Sequence, residues 1–316
     1  MQHFQKLDDV FLEPHRIAIG VYDGVHRGHQ VIINQMVAEA HAAGEKCAVV
    51  TFFPNPAVLF GRAKKGNYIT SPAERADLLG ALGVDTVVTL PFTLELAQLS
   101  ALDFMQLMKT HLQITHLYAG DDFALGRGRE GNISKLKEIG QGLHFGVSVI
   151  SAVQGEGERI SSSRIRSLIQ AGNVRLAGQL LGRYYRVSGP VVHGQGRGAG
   201  MGFATANIDY WSERVMPAFG IYATWLWVNG VRQDSVSNLG VRPTVDAVPN
   251  RVHLEAHALD KAEDLYGASV ELEFVEYLRP EMRFESVDEL ITQVNRDKQT
   301  AREVLQDAPD TPGLPA

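Results

Sequence analysis

The chain has 316 residues, 45% hydrophobic and 21% charged, with a formal net charge of -6. That length exceeds one ordinary core and implies two domains, and the acidic balance supplies no field to draw in nucleic acid or an anionic membrane. The single cysteine, Cys47, cannot close an internal disulfide; it reads as a small buried hydrophobe in a strand and fits a reducing compartment. The N-terminus has no signal-like apolar stretch, and no run of about 18 apolar residues follows. A cytoplasmic protein acting on small molecules is expected, with no nucleic-acid or membrane partner; its oligomeric state is not legible.

From Arg16 to Leu181 short apolar runs alternate with helical periodicity. The predicted strands are Ile17–Val21, Cys47–Phe52, Thr86–Leu90, Thr115–Ala119 and Gly146–Ile150. The predicted helices are Val31–Ala43, Ser71–Leu82, Leu94–His111 and Ile133–Gly140. Ser71-Pro72-Ala73-Glu74 carries the N-cap, first-turn proline and third-position acid of a helix start. Gly44 and Gly83 stand where helix-ending glycines belong. The alternation predicts a parallel, doubly wound, Rossmann-like sheet, whose ligands bind at the carboxyl ends of the strands.

Three segments converge on that edge. Gly20–His29 follows the first strand and opens a helix. Its glycines let backbone N–H groups approach an anion, and His26 and His29, three apart, share a side of the helix start. Two imidazoles there suit a phosphate and the charge on a departing pyrophosphate; a structural histidine pair is the plain alternative. Gly120–Asn132, Gly-rich with Asp122 and Phe123, reads equally as a holder of a ribose and an aromatic ring or as a surface loop. Ile160–Arg166, with Ser161, Ser162 and Arg166, reads as a second phosphate cradle or as an ordinary serine cap. Pro54-Asn55-Pro56 closes the second strand in a rigid loop, where Asn55 is first a turn residue.

After Leu181 the texture turns to β. Runs at Arg186–Val192, Gly220–Val228, Val231–Ser237, Val252–Leu259 and Val270–Tyr277 predict a small antiparallel barrel. Asn229-Gly230 is a two-residue hairpin signal, and Ser286-Val287-Asp288-Glu289 opens a last helix running to Leu305. The expected domains are residues 1–182 and 183–307, with an unstructured tail at 308–316.

In the second half, Gly194–Asn207 is the densest glycine run. It fits neither a dinucleotide fingerprint nor a Walker A loop, but it offers free backbone N–H groups, with Thr205 and Asn207 as oxygen donors suited to Mg²⁺. A flexible connection is the alternative. In Val252–Leu259, His253, Glu255 and His257 share one face of a strand. They form a solvated face, or place Glu255 where it accepts a proton during phosphoryl transfer.

The ordered set resembles the bifunctional bacterial riboflavin kinase/FMN adenylyltransferase family, also called FAD synthetase. It comprises Gly20–His29, Thr51–Pro56, Gly120–Gly131, Ile160–Arg166, Gly202–Asn207, Gly220–Ala223, Asn238–Thr244, Leu254–Asp260, Leu265–Gly267 and Asp297. The resemblance implies an N-terminal nucleotidyltransferase domain and a C-terminal flavokinase barrel with a terminal helix. In the first, Gly20, Asp23, Gly24, His26 and His29 would hold ATP phosphates, with Ser161, Ser162 and Arg166 opposite. Asn55, Asp122 and Phe123 would serve the flavin and nucleotide. In the second, Gly202, Thr205 and Asn207 would hold ATP, the last two as Mg²⁺ ligands. Glu255 would be the catalytic base and, with Arg242, border the flavin. ATP, Mg²⁺ and riboflavin, FMN and FAD are the implied cofactors, substrates and products.

The chain departs from the family's usual residues at Tyr22, Asn55, Ser163, Ala199 and Ala204. None of these removes a group assigned to chemistry, so both activities are expected. A single-activity enzyme with one decayed half, or a flavin-binding sensor, would have no need of both the His26/His29 and the Thr205/Asn207/Glu255 sets.

Overall fold

The computed structural model describes residues 1–8, 10–61, 66–155, 157–193, 205–241, 252–260 and 265–313. The chain folds into two compact units, Met1–Ser162 and Ser163–Ala316.

The first unit is built on a parallel sheet. In chain order come β1 (Gln2–Phe4), β2 (His15–Ile19), α1 (Arg27–Ala42), β3 (Lys46–Phe53), the short α2 (Pro56–Leu59), α3 (Pro72–Ala81) and β4 (Thr86–Pro91). Then follow α4 (Leu94–Gln98), α5 (Ala101–Leu112), β5 (Ile114–Gly120), the small hairpin β6 (Ala124–Leu125) and β7 (Gly131–Asn132), α6 (Ile133–Leu143) and β8 (Gly146–Ile150). A second small hairpin, β9 (Gln154–Gly155) and β10 (Glu158–Arg159), completes it. The six main strands lie in the order β1-β4-β3-β2-β5-β8, every neighbour parallel. Strand order reverses around β2, so the loop after β2 sits at the switch point where such sheets bind ligands.

Side-chain alternation sandwiches this sheet. Ile17, Ile19, Ala48, Val50, Val88, Leu90 and Leu117 face a layer with Phe104, Met105 and Met108 of α5 and Leu136 and Ile139 of α6. Ala18, Cys47, Val49, Val87 and Tyr118 face Ile33, Met36 and Ala40 of α1 and Ala76 and Leu79 of α3. Both faces are covered, which is why these strands read as unbroken apolar runs. The expected cap of α3 is present as a full capping box: the Glu74 amide donates to Ser71 Oγ, and the Ser71 amide to Glu74 Oε2. Two expectations change. The helical run 94–111 is broken at Ser100, whose side chain caps α5 by accepting from the Asp103 amide. The first helix begins at Arg27, four residues before the apolar periodicity, because His26 serves as its N-cap.

The chain passes into the second unit at the start of α7 (Ser162–Gln170), which α8 (Val174–Leu181) follows. There follow β11 (Tyr185–Val192), β12 (Ala206–Ile208), β13 (Gly220–Val228), β14 (Val231–Val241), β15 (Val252–Ala258), β16 (Ser269–Arg279) and α9 (Val287–Asp307). The strands close into the expected antiparallel barrel, in the order β11-β12-β15-β14-β13-β16. Asn229 and Gly230, both at positive φ, make the β13–β14 hairpin. Ala223, Trp225, Val236 and Val275 meet Ala301 and Leu305 of α9, so these residues mark the barrel's outer face. Their strand neighbours Thr224, Ser235 and Ser237 turn inward, where their buried hydroxyls bond one another at 2.7–2.8 Å.

α8 packs on β11 and β16, and the first compact unit ends at Ser162, while the change of texture falls at 182/183. The segment after α9, expected to be unstructured, is tied to the barrel as far as it is described. Tyr184 donates its hydroxyl to the Pro309 carbonyl at 2.7 Å, and Arg232 pairs with Asp310 at 2.7 Å. Composition hid this because a few docked side chains need no apolar run.

Candidate functional site

The turn between β2 and α1 is held in an unusual backbone shape. Tyr22 and Val25 lie at φ 49° and 41°, a region that side chains other than glycine's rarely adopt. Gly24, at φ 81°, leaves no room for a side chain: a Cβ there would come within 3.0 Å of Ile69. Buried partners enforce the shape. Asp23 is fully buried and accepts from the amides of Ile69 and Thr70 at 3.1 Å. The Gly24 amide donates to Thr70 Oγ1 at 3.0 Å.

The turn ends in the paired histidines. His26 is buried, and its Nδ1 accepts from the His29 amide at 3.3 Å. The two rings stack at 3.5 Å, and Tyr22 meets His29 edge-on at 5.0 Å. Gly28 permits this packing, since a Cβ there would sit 3.2 Å from the His26 ring. Burial lowers the pKa of His29 well below the ordinary value, and His26 and Arg75 push the same way. His29 is therefore neutral at pH 7, and its Nδ1 is buried with no hydrogen-bond partner. The arrangement sets two imidazoles at a helix N-terminus, a combination suited to an anion.

The serine segment reaches the same turn: Ser162 Oγ donates to the Asp23 carbonyl at 2.9 Å. Ser161 precedes it, and Arg166 lies about one turn further along α7, in the second unit.

Beside Gly20 and Val21 opens a cavity of about 660 Å³. Phe52, Phe60, Phe92, Phe104 and Phe123 line it, with Asn55 and Asp122 among its polar groups. Its size and aromatic walls suit a flat heteroaromatic ring. Asn55 also caps α2, its Oδ1 accepting from the Ala57 amide at 2.9 Å. Asp122 pairs with Arg159 at 2.7 Å on the surface. The loop of Gly120–Asn132 thus lines a pocket through Asp122, Phe123 and Gly126. The four phenylalanines besides Phe123 escaped the sequence reading because they come from separate strands, loops and helices. Arg75 escaped it too, although a charge at a core position of α3, beside Ala76 and Leu79, marks it out.

In the second unit, β15 pairs with both β12 and β14, so Glu255 stands directly between Asn207 and Asn238. Asn238 shares a face of β14 with Val236, so this row lies on the outer face of the barrel. Asn238 Nδ2 donates to Glu281 Oε1 at 3.3 Å. Thr205, exposed, comes two residues before Asn207. His253, Glu255 and His257 are half-buried, while Leu254 and Ala256 are buried on the opposite face. Gly202 and Arg242 lie outside the described residues, as do Ala199 and Ala204.

Among the described residues, one other cluster gathers His41, Cys47 and Asp85. It lies at the other end of the strands from the β2–α1 turn. Asp85 there accepts from the Cys47 amide at 2.9 Å, and Cys47 is buried, as expected of it. No helix among the described residues is long and apolar enough to cross a membrane.

Residues 9–164 match the family model described as FAD synthetase, and residues 181–305 the one described as riboflavin kinase. The chain is 37% identical to the bifunctional riboflavin kinase/FMN adenylyltransferase of Escherichia coli, over 91% of each chain. It is 38% identical to the protein of that name from Pseudomonas fluorescens, over 90% of this chain and 91% of that one. A crystal structure described as a macrolide-efflux protein from Streptococcus pneumoniae shares the fold. It has a TM-score of 0.87 and 28% identity, and covers 95% of this chain and 98% of that one. Two matched halves in the same order, each with its own polar constellation, agree with relatives that share nine-tenths of the length: the chain belongs to the bifunctional riboflavin kinase/FMN adenylyltransferase family.

Proposed function

We infer that the chain performs both steps for which its relatives are named: phosphorylation of riboflavin to FMN in the second unit, and adenylylation of FMN to FAD in the first. The observation that supports this best is that each unit assembles a polar set of its own. These are the Asp23–His26–His29–Ser162 grouping in one and the Asn207–Glu255–Asn238 row in the other.

In the kinase step Glu255 accepts the proton of the riboflavin 5′-hydroxyl as that oxygen attacks the γ-phosphorus of ATP, and ADP leaves. Asn207 and Thr205 offer hard oxygen atoms beside a carboxylate, a donor set that fits Mg²⁺. When bound, Mg²⁺ neutralises phosphate charge as it builds. Gly202 and Arg242 belong to this site by resemblance, for ATP and for flavin.

In the adenylylation step a phosphate oxygen of FMN attacks the α-phosphorus of ATP, and pyrophosphate leaves. A phosphate dianion is already nucleophilic, so the site's work is positioning and charge stabilisation. The α1 N-terminus, with Gly20, Asp23 and Gly24 shaping the turn before it, receives the triphosphate. His26 and His29 stabilise the departing pyrophosphate, with Ser161 and Ser162 beside them; Arg166 is assigned to the phosphates by resemblance. The phenylalanine-lined cavity takes the isoalloxazine, with Asn55, Asp122 and Phe123 at its border. The buried, unreactive Cys47 and the small-molecule substrates are consistent with a cytoplasmic enzyme.

Incubation with riboflavin, ATP and Mg²⁺, followed by chromatography, tests the reading. FMN and then FAD are expected. FMN alone would remove the first unit's activity, and no product would overturn the reading.

A further inference from the structure

Arg75 lies completely buried in α3, beneath the turn that carries His26 and His29. Its Nη1 donates to Thr51 Oγ1 at 2.9 Å and to the Phe52 carbonyl at 3.2 Å. Thr51 passes the link on, donating to the Val21 carbonyl at 2.8 Å. The Nη2 of Arg75 stands 3.9 Å from Asp23 Oδ1. Through Thr51 and Asp23 the guanidinium therefore reaches both sides of Tyr22. Tyr22 and Val25 sit in the left-handed region, which is strained for side chains other than glycine's. Such residues persist only where their surroundings over-determine them.

The charge has a second consequence. Buried charges are poorly screened, so the field of Arg75, partly offset by Asp23, still reaches His29 and disfavours its protonation. The groups facing His29 are the stacked His26, the edge of Tyr22 and, by charge, Arg75. Asp23, the carboxylate 3.9 Å from the guanidinium, also accepts from the amides of Ile69 and Thr70.

We propose that Arg75 is a positioning residue for adenylyl transfer, which locks the Val21–His26 turn in its anion-receiving shape and holds a permanent positive charge behind the triphosphate. This rests on reading the first unit as the adenylyltransferase. The residue touches neither substrate nor reacting atom; it acts through Thr51, Asp23 and the field at His29.

The test uses the full chain, with FAD formation from FMN and ATP as the readout and riboflavin phosphorylation as the internal control. Arg75→Met is expected to lower kcat for FAD formation roughly 10- to 100-fold, the scale of a small misplacement at a reacting centre. It should also raise KM for ATP and leave FMN formation unchanged. Thr51→Val keeps the charge but cuts the link to Val21, so kcat should fall while KM for ATP moves less. Arg75→Lys keeps the charge. His29, followed by NMR of ¹³C-labelled histidine, should titrate at higher pH in Arg75→Met and stay low in Arg75→Lys. Unchanged kcat, KM and His29 titration in Arg75→Met and Thr51→Val would overturn the proposal. So would losses that vanish once rates are normalised to folded protein. If Arg75→Met does not fold, Thr51→Val decides: an unaltered kcat there refutes the role. Wild-type protein that makes no FAD from FMN would refute the reading of the site, a result distinct from either.

Discussion

Replacing Glu255 by Gln removes the carboxylate as a proton acceptor while keeping the side chain's shape. The residue is half-buried in the middle of β15, and its backbone pairing with Asn207 and Asn238 does not involve the carboxylate. Glutamine keeps the volume and one acceptor oxygen, so the barrel and the neighbouring asparagines should stay in place. What disappears is the capacity to take the riboflavin hydroxyl proton. General-base catalysis contributes roughly 10²- to 10⁴-fold, or about 3–5 kcal/mol of activation free energy. FMN formation from riboflavin and ATP should fall by that factor, with KM for riboflavin little changed. The same preparation, given FMN, should make FAD at the wild-type rate, because that chemistry belongs to the first unit. Chromatographic separation of the three flavins reads both steps from one sample. An FMN rate within about threefold of wild type, less than 1 kcal/mol, would show that Glu255 is not the base.

His29→Ala should produce the mirror result: FAD formation from FMN lost by at least about 10²-fold, FMN formation intact, read in the same assay. Gly126→Ala should destabilise the first unit by roughly 2–4 kcal/mol in urea unfolding, from a disfavoured backbone and an overpacked contact together. Gly126 is at φ 77°, and a Cβ there would lie 2.6 Å from the Ala101 nitrogen. Cys47 should resist alkylation at pH 8–9 in the native protein and react on unfolding, since burial pushes its thiol up to about 12. The same shift sets a pH dependence. The fold prefers the neutral thiol, whereas the unfolded thiol ionises near its ordinary value of 9.0. This part of the stability is complete below about pH 9 and is lost as pH rises toward 12. Unfolding midpoints of Cys47→Ala should decline less over that range.

Much of the fold was legible because the signals were local. Ser71 with Glu74, Asn229 with Gly230, and the glycines after α1 and α3 act within a few residues, and each appears where the pattern put it. The parallel sheet followed from apolar runs alternating with helical periods, a pattern that arises only when both faces of each strand are covered. Strands such as β1 and β12, three residues each, were too short to show a period. The helix break at Ser100 was hidden inside a continuous helical pattern, since a serine cap interrupts a helix without interrupting its apolar spacing.

The candidate sites divide along the same line. The residue types and spacing of His26 and His29, and the shared face of His253, Glu255 and His257, follow from chain geometry alone. So does the serine start of α7. What the sequence by itself determined, then, was which groups stand near one another along the chain and what chemistry they suit. That Ser162 bonds the backbone of Asp23, that Glu255 stands between Asn207 and Asn238, and that five phenylalanines wall one cavity were decided only by the tertiary structure. Arg75 shows the reason most clearly. Its bonds to Thr51 and Phe52 and its approach to Asp23 cross the sheet-to-helix packing rather than the chain. A buried guanidinium is stable only where those distant partners converge on it.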